Sequence, residues 1–155
     1  MTANKTLAPL AVLVLDDDFE RMVTLQTAYD ALCQQARDGK WALDRKISFI
    51  FVSTLGAFAE ELANRVFDVV VLDHDLGLSS FTHAAYNGQI AAAMLAGVYA
   101  SSHRPKPSVV VWSHNPDGAR AIRNRLAVLS DFQVEVAPHD EQLCTRLCHQ
   151  WTTTP

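Results

Sequence analysis

Five short apolar runs recur along the chain, and a segment with helical spacing follows each of them. The runs occupy residues 11–16, 47–52, 69–72, 109–112 and 132–136. Continuous apolar runs of this length are typical of strands that are buried on both faces of a parallel sheet. The pattern therefore predicts five consecutive strand-then-helix units.

The segments between the strands carry apolar residues at spacings of three and four, which predicts amphipathic helices. Asp18 and Thr54 are suited to cap the first and second helices, and Asp38-Gly39 ends the first. We expect the inward faces to be formed by Leu55, Phe58, Leu62 and Val66 in the second helix, Ala119, Ile122, Leu126 and Leu129 in the fourth, and Leu143, Cys144, Leu147, Cys148 and Trp151 in the last.

The third helix, residues 89–100, is apolar nearly all round. Such a helix is either deeply buried or presents a face to another copy of the protein, and burial is the favoured interpretation.

With right-handed crossovers, five strand-then-helix units predict a three-layer α/β sandwich around a parallel sheet of order 2-1-3-4-5. A length of 155 residues, 49% of them hydrophobic, suits a single domain over residues 1–155. In such sheets, ligands bind beyond the carboxyl ends of the strands, near the switch between strands 1 and 3.

The composition of the chain limits the classes of function that it could have. A net charge of -4 argues against a protein that coats nucleic acid, although a local basic patch stays possible. Three cysteines predict a reducing compartment and thus a cytoplasmic protein. The apolar stretch at residues 7–15 is too short to cross a membrane and lacks a cleavage site, so we expect no membrane partner.

Acidic side chains follow two strands that the predicted order places side by side. Asp16, Asp17 and Asp18 follow the first strand, and Asp73 and Asp75 follow the third. Packed carboxylates repel one another and need a cation or raised pKa values. We therefore predict a divalent metal on Asp16, Asp17, Asp73 and Asp75, with Mg²⁺ favoured and Mn²⁺ or Zn²⁺ as alternatives. Helix capping alone is the alternative, and we accept it for Asp18.

The fourth strand ends in Ser113-His114-Asn115-Pro116, where Asn115 and Pro116 form a good helix start. The helix N-terminus, the Ser113 hydroxyl and a nearby metal together would bind phosphate, so Ser113 and Asn115 are candidate phosphate ligands. A well-made helix cap explains the same segment equally well.

Two histidines follow strand ends, His74 after the third strand and His114 after the fourth. With Asp73 they are candidate catalytic residues, as proton carriers in phosphate-ester cleavage or as metal ligands. Ordinary hydrogen bonding in a loop is the alternative. The loop between Asp73 and Gly88 is longer than a typical connection, which also marks it as a functional candidate.

The segments VLVLDDD, residues 12–18, and FDVVVLD, residues 67–73, with a serine ending strand 4, resemble the receiver domains of two-component response regulators over nearly the whole chain. The resemblance implies a flavodoxin-like, receiver-like fold, with Asp16 and Asp17 as the acidic pair, Asp73 as the phosphate-accepting aspartate and Ser113 as the hydroxyl position. Receivers carry a lysine before a proline at the end of strand 5, where this chain has Ala137-Pro138.

LDHDLG, residues 72–77, together with SHNPDGA, residues 113–119, is similar to the receiver-derived family named for cyclic-phosphate processing. That resemblance implies action on cyclic phosphate ends of nucleic acids or nucleotides. The residues it implicates are Asp17, Asp73, His74, Asp75 and Asn115. His114 is placed differently from the histidine of the family's pattern.

The leading hypothesis is a metal-dependent phosphoesterase whose ligand is a nucleotide or an RNA end carrying a cyclic phosphate. The alternative is an atypical receiver, phosphorylated on Asp73 or independent of phosphorylation, that signals through a homodimer or another protein. A third hypothesis is nucleotide binding without chemistry.

Overall fold

The computed structural model describes residues 8–40, 45–76, 88–129, 131–138 and 142–152, with only the backbone for residues 149–152. Five strands form one parallel sheet of order β2-β1-β3-β4-β5, which confirms the predicted order. The strands are β1 Leu10–Leu15, β2 Ile47–Val52, β3 Val69–Leu72, β4 Ser108–Trp112 and β5 Val134–Ala137.

Helices cover both faces of the sheet, as predicted for a three-layer sandwich. They are α1 Phe19–Arg37, α2 Leu55–Asn64, α3 Gly88–Ala100, α4 Pro116–Leu129 and α5 Leu143–Thr152. One core packs α2, α3 and α4 against the sheet, and a second core packs α1 and α5 against the opposite face.

The alternation of side chains along β1 divides the two cores. Leu13 and Leu15 face α2, α3 and α4, whereas Val12 and Val14 face α1 and α5. All four are fully buried. Full burial stabilises the fold by roughly 1.5–3 kcal/mol for each such side chain, so a central strand needs an apolar residue at every position.

The predicted helix caps are confirmed. The Asp18 side chain accepts hydrogen bonds from the N–H groups of Glu20 and Arg21, and Thr54 accepts one from Ala57. At the far end of α1, Gly39 has a φ of 69°, a left-handed conformation that glycine adopts without steric cost.

Two residues expected to face inward are exposed. Val66 is 50% exposed because α2 ends at Asn64 and the chain is already extended at Arg65. Leu129 is 43% exposed, since it is the last residue of α4. The expected inward positions of the last helix are buried at Leu143, Cys144, Leu147 and Cys148, and the Trp151 side chain lies outside the described part of the structure.

The fifth strand begins later than predicted. Its first residue is Val134, and Phe132 precedes it. Phe132 is nevertheless buried, because its ring packs edge-on against Tyr99 with centroids 5.9 Å apart. Phe132 therefore packs in the core although it lies outside the strand.

The apolar helix α3 lies between α2 and α4 and contacts both. Its buried residues include Ala91, Ala92, Leu95, Ala96 and Tyr99, which supports the interpretation of deep burial. In the described parts of the chain, a search for helices with the length and hydropathy needed to cross a bilayer found none.

Candidate functional site

Neighbouring strands bring the acidic side chains together at the carboxyl edge of the sheet. Leu15 of β1 pairs with Leu72 of β3, so the residues that follow, Asp16 and Asp73, lie side by side. Asp73 donates its backbone N–H to the Leu15 carbonyl at 3.0 Å. Asp16, Asp17 and Asp73, called the acid cluster below, each place one carboxylate oxygen within 4.8 Å of the others.

Both central carboxylates are almost completely buried, with Asp16 and Asp73 each 1% exposed. Burial raises the pKa of Asp16 to about 6, even though the Asp18 N–H and the Arg21 guanidinium favour its charged form. Asp16 Oδ2 is buried and has no hydrogen-bond partner among the described residues. A buried carboxylate oxygen without a partner destabilises the folded protein unless a ligand or cation binds it.

A guanidinium group lies inside the acid cluster. Arg21 Nη2 is 2.7 Å from Asp16 Oδ1 and 2.7 Å from Asp73 Oδ2, and it is 3.8 Å from Asp17 Oδ1. Burial alone would lower the pKa of Arg21, but the negative charges of Asp73 and Asp16 outweigh burial and raise it. Arg21 is thus a firmly charged partner for carboxylates that would otherwise repel one another.

The sequence interpretation missed Arg21. The available signal was its spacing, four residues after Asp17 and three after Asp18 at the start of a helix, where side chains so spaced share one face. The Asp18 cap starts α1 directly after the strand, so the first helical turn holds Arg21 over the strand ends.

The acid cluster fits a hard divalent cation. Three carboxylates supply oxygen ligands, and Mg²⁺ prefers an all-oxygen site completed by water. Within the part of the chain that the structure describes, this group contains no histidine or cysteine, so its donors suit Mg²⁺ or Mn²⁺ better than Zn²⁺.

Asp75, the fourth predicted metal ligand, lies outside this group. Its side chain is 56% exposed, and its Oδ1 is 2.7 Å from His74 Nδ1. The Asn115 side-chain amide also donates to the same oxygen at 3.4 Å. Asp75 therefore links the end of β3 to the segment after β4.

His74 is held from several sides. Its backbone N–H donates to Asp73 Oδ1 at 2.7 Å, and its carbonyl accepts from Gly88 N–H at 2.9 Å. The imidazole, 15% exposed, packs against the first turn of α4, where a Cβ at Gly118 would be 2.3 Å from the ring's Cγ. The glycine is what allows α4 and the ring to approach so closely.

The predicted phosphate ligands at the end of β4 make contacts within the protein. Ser113, 8% exposed, accepts a hydrogen bond from Asn115 N–H at 3.2 Å. Asn115 Oδ1 accepts from Gly118 N–H at 2.8 Å and so caps α4. His114 is exposed to solvent between them.

Two further predictions concern the rim of the site. Most of the long loop after β3 falls on residues 77–87, which lie outside the described residues. At the end of β5, opposite Trp112, the side chain is the methyl group of Ala137, which is 2% exposed. Arg21 therefore supplies, from α1, a positive charge that Ala137 does not.

Residues 11–128 match the model of a family described as the cyclic-phosphate processing receiver domain. The chain belongs to this family. The matched range begins within β1 and ends within the last turn of α4, so it includes every residue of the acid cluster, as well as His74, Asp75, Ser113 and Asn115. None of the curated proteins compared with this receiver domain matches it.

Solved receiver domains share the fold. The signal receiver domain of an HD domain-containing protein from Pseudomonas fluorescens Pf-5 superimposes with a TM-score of 0.62 at 14% identity, covering 98% of this chain and 95% of that one. A CheY-like receiver from Methanospirillum hungatei JF-1 gives a TM-score of 0.58 at 12% identity, covering 94% of each chain.

A third similar structure is the receiver domain of a sensor histidine kinase from Pseudomonas aeruginosa PAO1, with a magnesium ion coordinated in its active site cleft. Its TM-score is 0.58 at 9% identity, covering 95% of this chain and 100% of that one. At such low identities these likenesses establish the flavodoxin-like receiver fold.

Proposed function

We propose that this receiver domain accepts a phosphoryl group on Asp73, with a divalent cation held by the acid cluster, and that it signals through contacts with another protein. The observation that carries the proposal is the convergence of Asp16, Asp17 and Asp73 at the carboxyl edge of the sheet. The P. aeruginosa receiver that shares this fold holds magnesium in its active site cleft, which supports the choice of cation.

The chemistry assigns distinct tasks to the residues around Asp73. A carboxylate oxygen of Asp73 attacks the phosphorus of a small phosphodonor, and the bond from phosphorus to the leaving group breaks, with the electron pair leaving on that group. The His74 N–H already bonds Asp73 Oδ1 and so orients the carboxylate. A bound cation would offset the repulsion between the negatively charged reactants.

Incubation with acetyl phosphate and MgCl₂, followed by intact-protein mass spectrometry, tests this proposal. We expect a mass increase of one phosphoryl group that EDTA prevents and that Asp73→Asn abolishes. Asp75→Asn is the matched control, because Asp75 lies two residues away but outside the acid cluster. Absence of the adduct with acetyl phosphate and phosphoramidate alike would contradict the proposal.

A second candidate function, hydrolysis of cyclic phosphate ends, is favoured by the pairing of His74 with Asp75. A carboxylate 2.7 Å from Nδ1 orients an imidazole for proton transfer at Nε2, and the pair adjoins Asp73. The family's description as cyclic-phosphate processing supports the same chemistry. Water would attack the ring phosphorus and lose a proton to a base, while the bond to one ribose oxygen breaks and that oxygen takes up a proton.

The two functions separate with RNA that ends in a 2′,3′-cyclic phosphate. Supplied with Mg²⁺ or Mn²⁺, an esterase opens the ring to a phosphomonoester, which chromatography of the RNA resolves from the substrate. Loss of this product in His74→Asn, with the protein still folded, would support hydrolysis. If the cyclic ends stay intact after prolonged incubation while Asp73 becomes phosphorylated, hydrolysis is excluded and the receiver function remains.

A further inference from the structure

The guanidinium of Arg21 contacts the same carboxylates that a divalent cation would need. Arg21 Nη2 lies 2.7 Å from one carboxylate oxygen of Asp16 and 2.7 Å from one of Asp73. A Mg²⁺ ion held by those carboxylates requires oxygens at about 2.0–2.1 Å. Because the ligand atoms of the acid cluster lie within 4.8 Å of one another, an ion among them would lie next to the guanidinium, and two positive charges so close together in a buried site repel each other.

We propose that Arg21 is a tethered cation that competes with the divalent metal for the acid cluster and, once displaced, binds the phosphoryl group. The second role rests on the proposed function of Asp73. When no metal is bound, Arg21 balances the negative charge of Asp16 and Asp73. Metal binding then releases a guanidinium that stays attached to the first turn of α1, beside the strand end that carries Asp73.

The chemistry of the released group suits a phosphoryl ligand. A guanidinium donates two parallel N–H groups, which matches two oxygens of a phosphate, and it stays charged at any physiological pH. Asp73 accepts from both the His74 N–H and Arg21, and each donor bonds a different carboxylate oxygen. At the end of β5, Ala137 offers only a methyl group.

The alternative is that Arg21 only joins α1 to the sheet through a buried ion pair. The two roles predict different effects of removing the charge. A purely structural arginine stabilises the site, so its loss weakens the binding of metal and phosphate alike. A competing arginine has opposite effects on the two ligands, because it opposes the metal and favours the phosphate.

Isothermal titration of the full chain with MnCl₂ measures the first effect. We expect Arg21→Gln to bind Mn²⁺ at least about tenfold more tightly than wild type. Arg37→Gln removes the same charge from the last turn of the same helix and serves as the control, with an expected change of less than about twofold. Arg21→Lys keeps the charge but loses the planar fork, so its affinity should lie between wild type and Arg21→Gln.

Titration of the Mn²⁺-saturated proteins with inorganic phosphate measures the second effect. Phosphate should bind Arg21→Gln at least about fivefold more weakly than wild type. Circular dichroism melting establishes whether each variant is folded. If Arg21→Gln is unfolded, both titrations are done with Arg21→Lys. Unchanged or weaker Mn²⁺ binding by the variant, or unchanged phosphate binding, overturns the proposal.

Failure here is distinct from failure of the proposed function. If wild type and Arg21→Gln bind Mn²⁺ equally and Asp73 still becomes phosphorylated, competition by Arg21 is wrong and the receiver function stands. If no protein in the set binds Mn²⁺, the cation site itself is wrong, and the inference falls with it.

Discussion

The imidazole of His74 lies so close to Gly118 that a methyl group on residue 118 would be 2.3 Å from the ring's Cγ. The contact joins the residue after β3 to the first turn of α4. It holds His74 where its Nδ1 meets Asp75, and it requires residue 118 to have no side chain.

Gly118→Ala should therefore destabilise the protein and displace the His74 ring. Steric overlap in a packed site typically costs about 1–3 kcal/mol, partly offset by about 1 kcal/mol of better helix propensity. We expect a net loss of up to about 2 kcal/mol in the free energy of unfolding, measured by urea denaturation, and a changed His74 ring resonance in NMR spectra.

Gly97→Ala is the matched control, because Gly97 also lies in a helix but has nothing within 4 Å of an added Cβ. It should be neutral or stabilising by up to about 1 kcal/mol. Equal effects of the two substitutions would show that the His74 contact does not constrain residue 118.

Divalent metal should stabilise the wild-type protein, since a ligand that binds only the folded state raises the free energy of unfolding. At a concentration about 100 times the dissociation constant, the gain is about 2.7 kcal/mol. We expect Mg²⁺ to raise the melting temperature in differential scanning calorimetry, and EDTA to reverse the rise.

The same calorimetry shows which carboxylates bind the cation. Asp17→Asn should lose most of the Mg²⁺-dependent shift, because Asp17 belongs to the acid cluster. Asp75→Asn should keep it, since Asp75 bonds His74 instead. A full shift in the first variant and none in the second would place the cation next to Asp75.

Asp16→Asn should make the metal-free protein more stable at neutral pH. The folded-state pKa of Asp16 is about 6, whereas its ordinary value is 3.8, so the folded protein holds this proton more tightly than the unfolded chain does. Stability from this group is fully present below pH 3.8 and is lost as the pH rises through about 6. An amide resembles the protonated acid and keeps that stability at pH 7.

The advantage of Asp16→Asn over wild type in EDTA should be about 1–3 kcal/mol at pH 7. It should shrink as the pH falls through about 6 and vanish near 3.8. Urea denaturation of both proteins over this range measures the difference. Contributions from groups that the two proteins share cancel in it. A difference that stays constant with pH would mean that Asp16 titrates normally.

Arg104 closes the carboxyl end of α2. Its guanidinium donates to the carbonyls of Leu62 at 2.9 Å and Ala63 at 3.0 Å. A lysine lacks the planar fork that places one nitrogen at each carbonyl, so Arg104→Lys should lower the free energy of unfolding by about 1–2 kcal/mol in urea denaturation. Arg120→Lys, at an exposed pair with Asp117, should change it by less than about 0.5 kcal/mol.

The sequence alone determined the strand order and the ends of several helices. Continuous apolar runs mark strands buried on both faces, and right-handed crossovers leave few ways to order them. The caps at Asp18 and Thr54 are local too, because the side chain bonds backbone groups only two or three residues away. The meeting of Asp16 and Asp73 follows from strand order and register, so the sequence predicted it as well.

Only the tertiary structure decided which groups fill the space between those strand ends. Arg21 has an ordinary helical position in the sequence, and its place among three carboxylates depends on how α1 lies over the sheet. Asp75 bonds His74 and Asn115 instead of joining the acid cluster, and Asn115 comes from the segment after β4. Side-chain directions at the end of a strand depend on residues forty or more positions away, and periodicity does not encode such contacts.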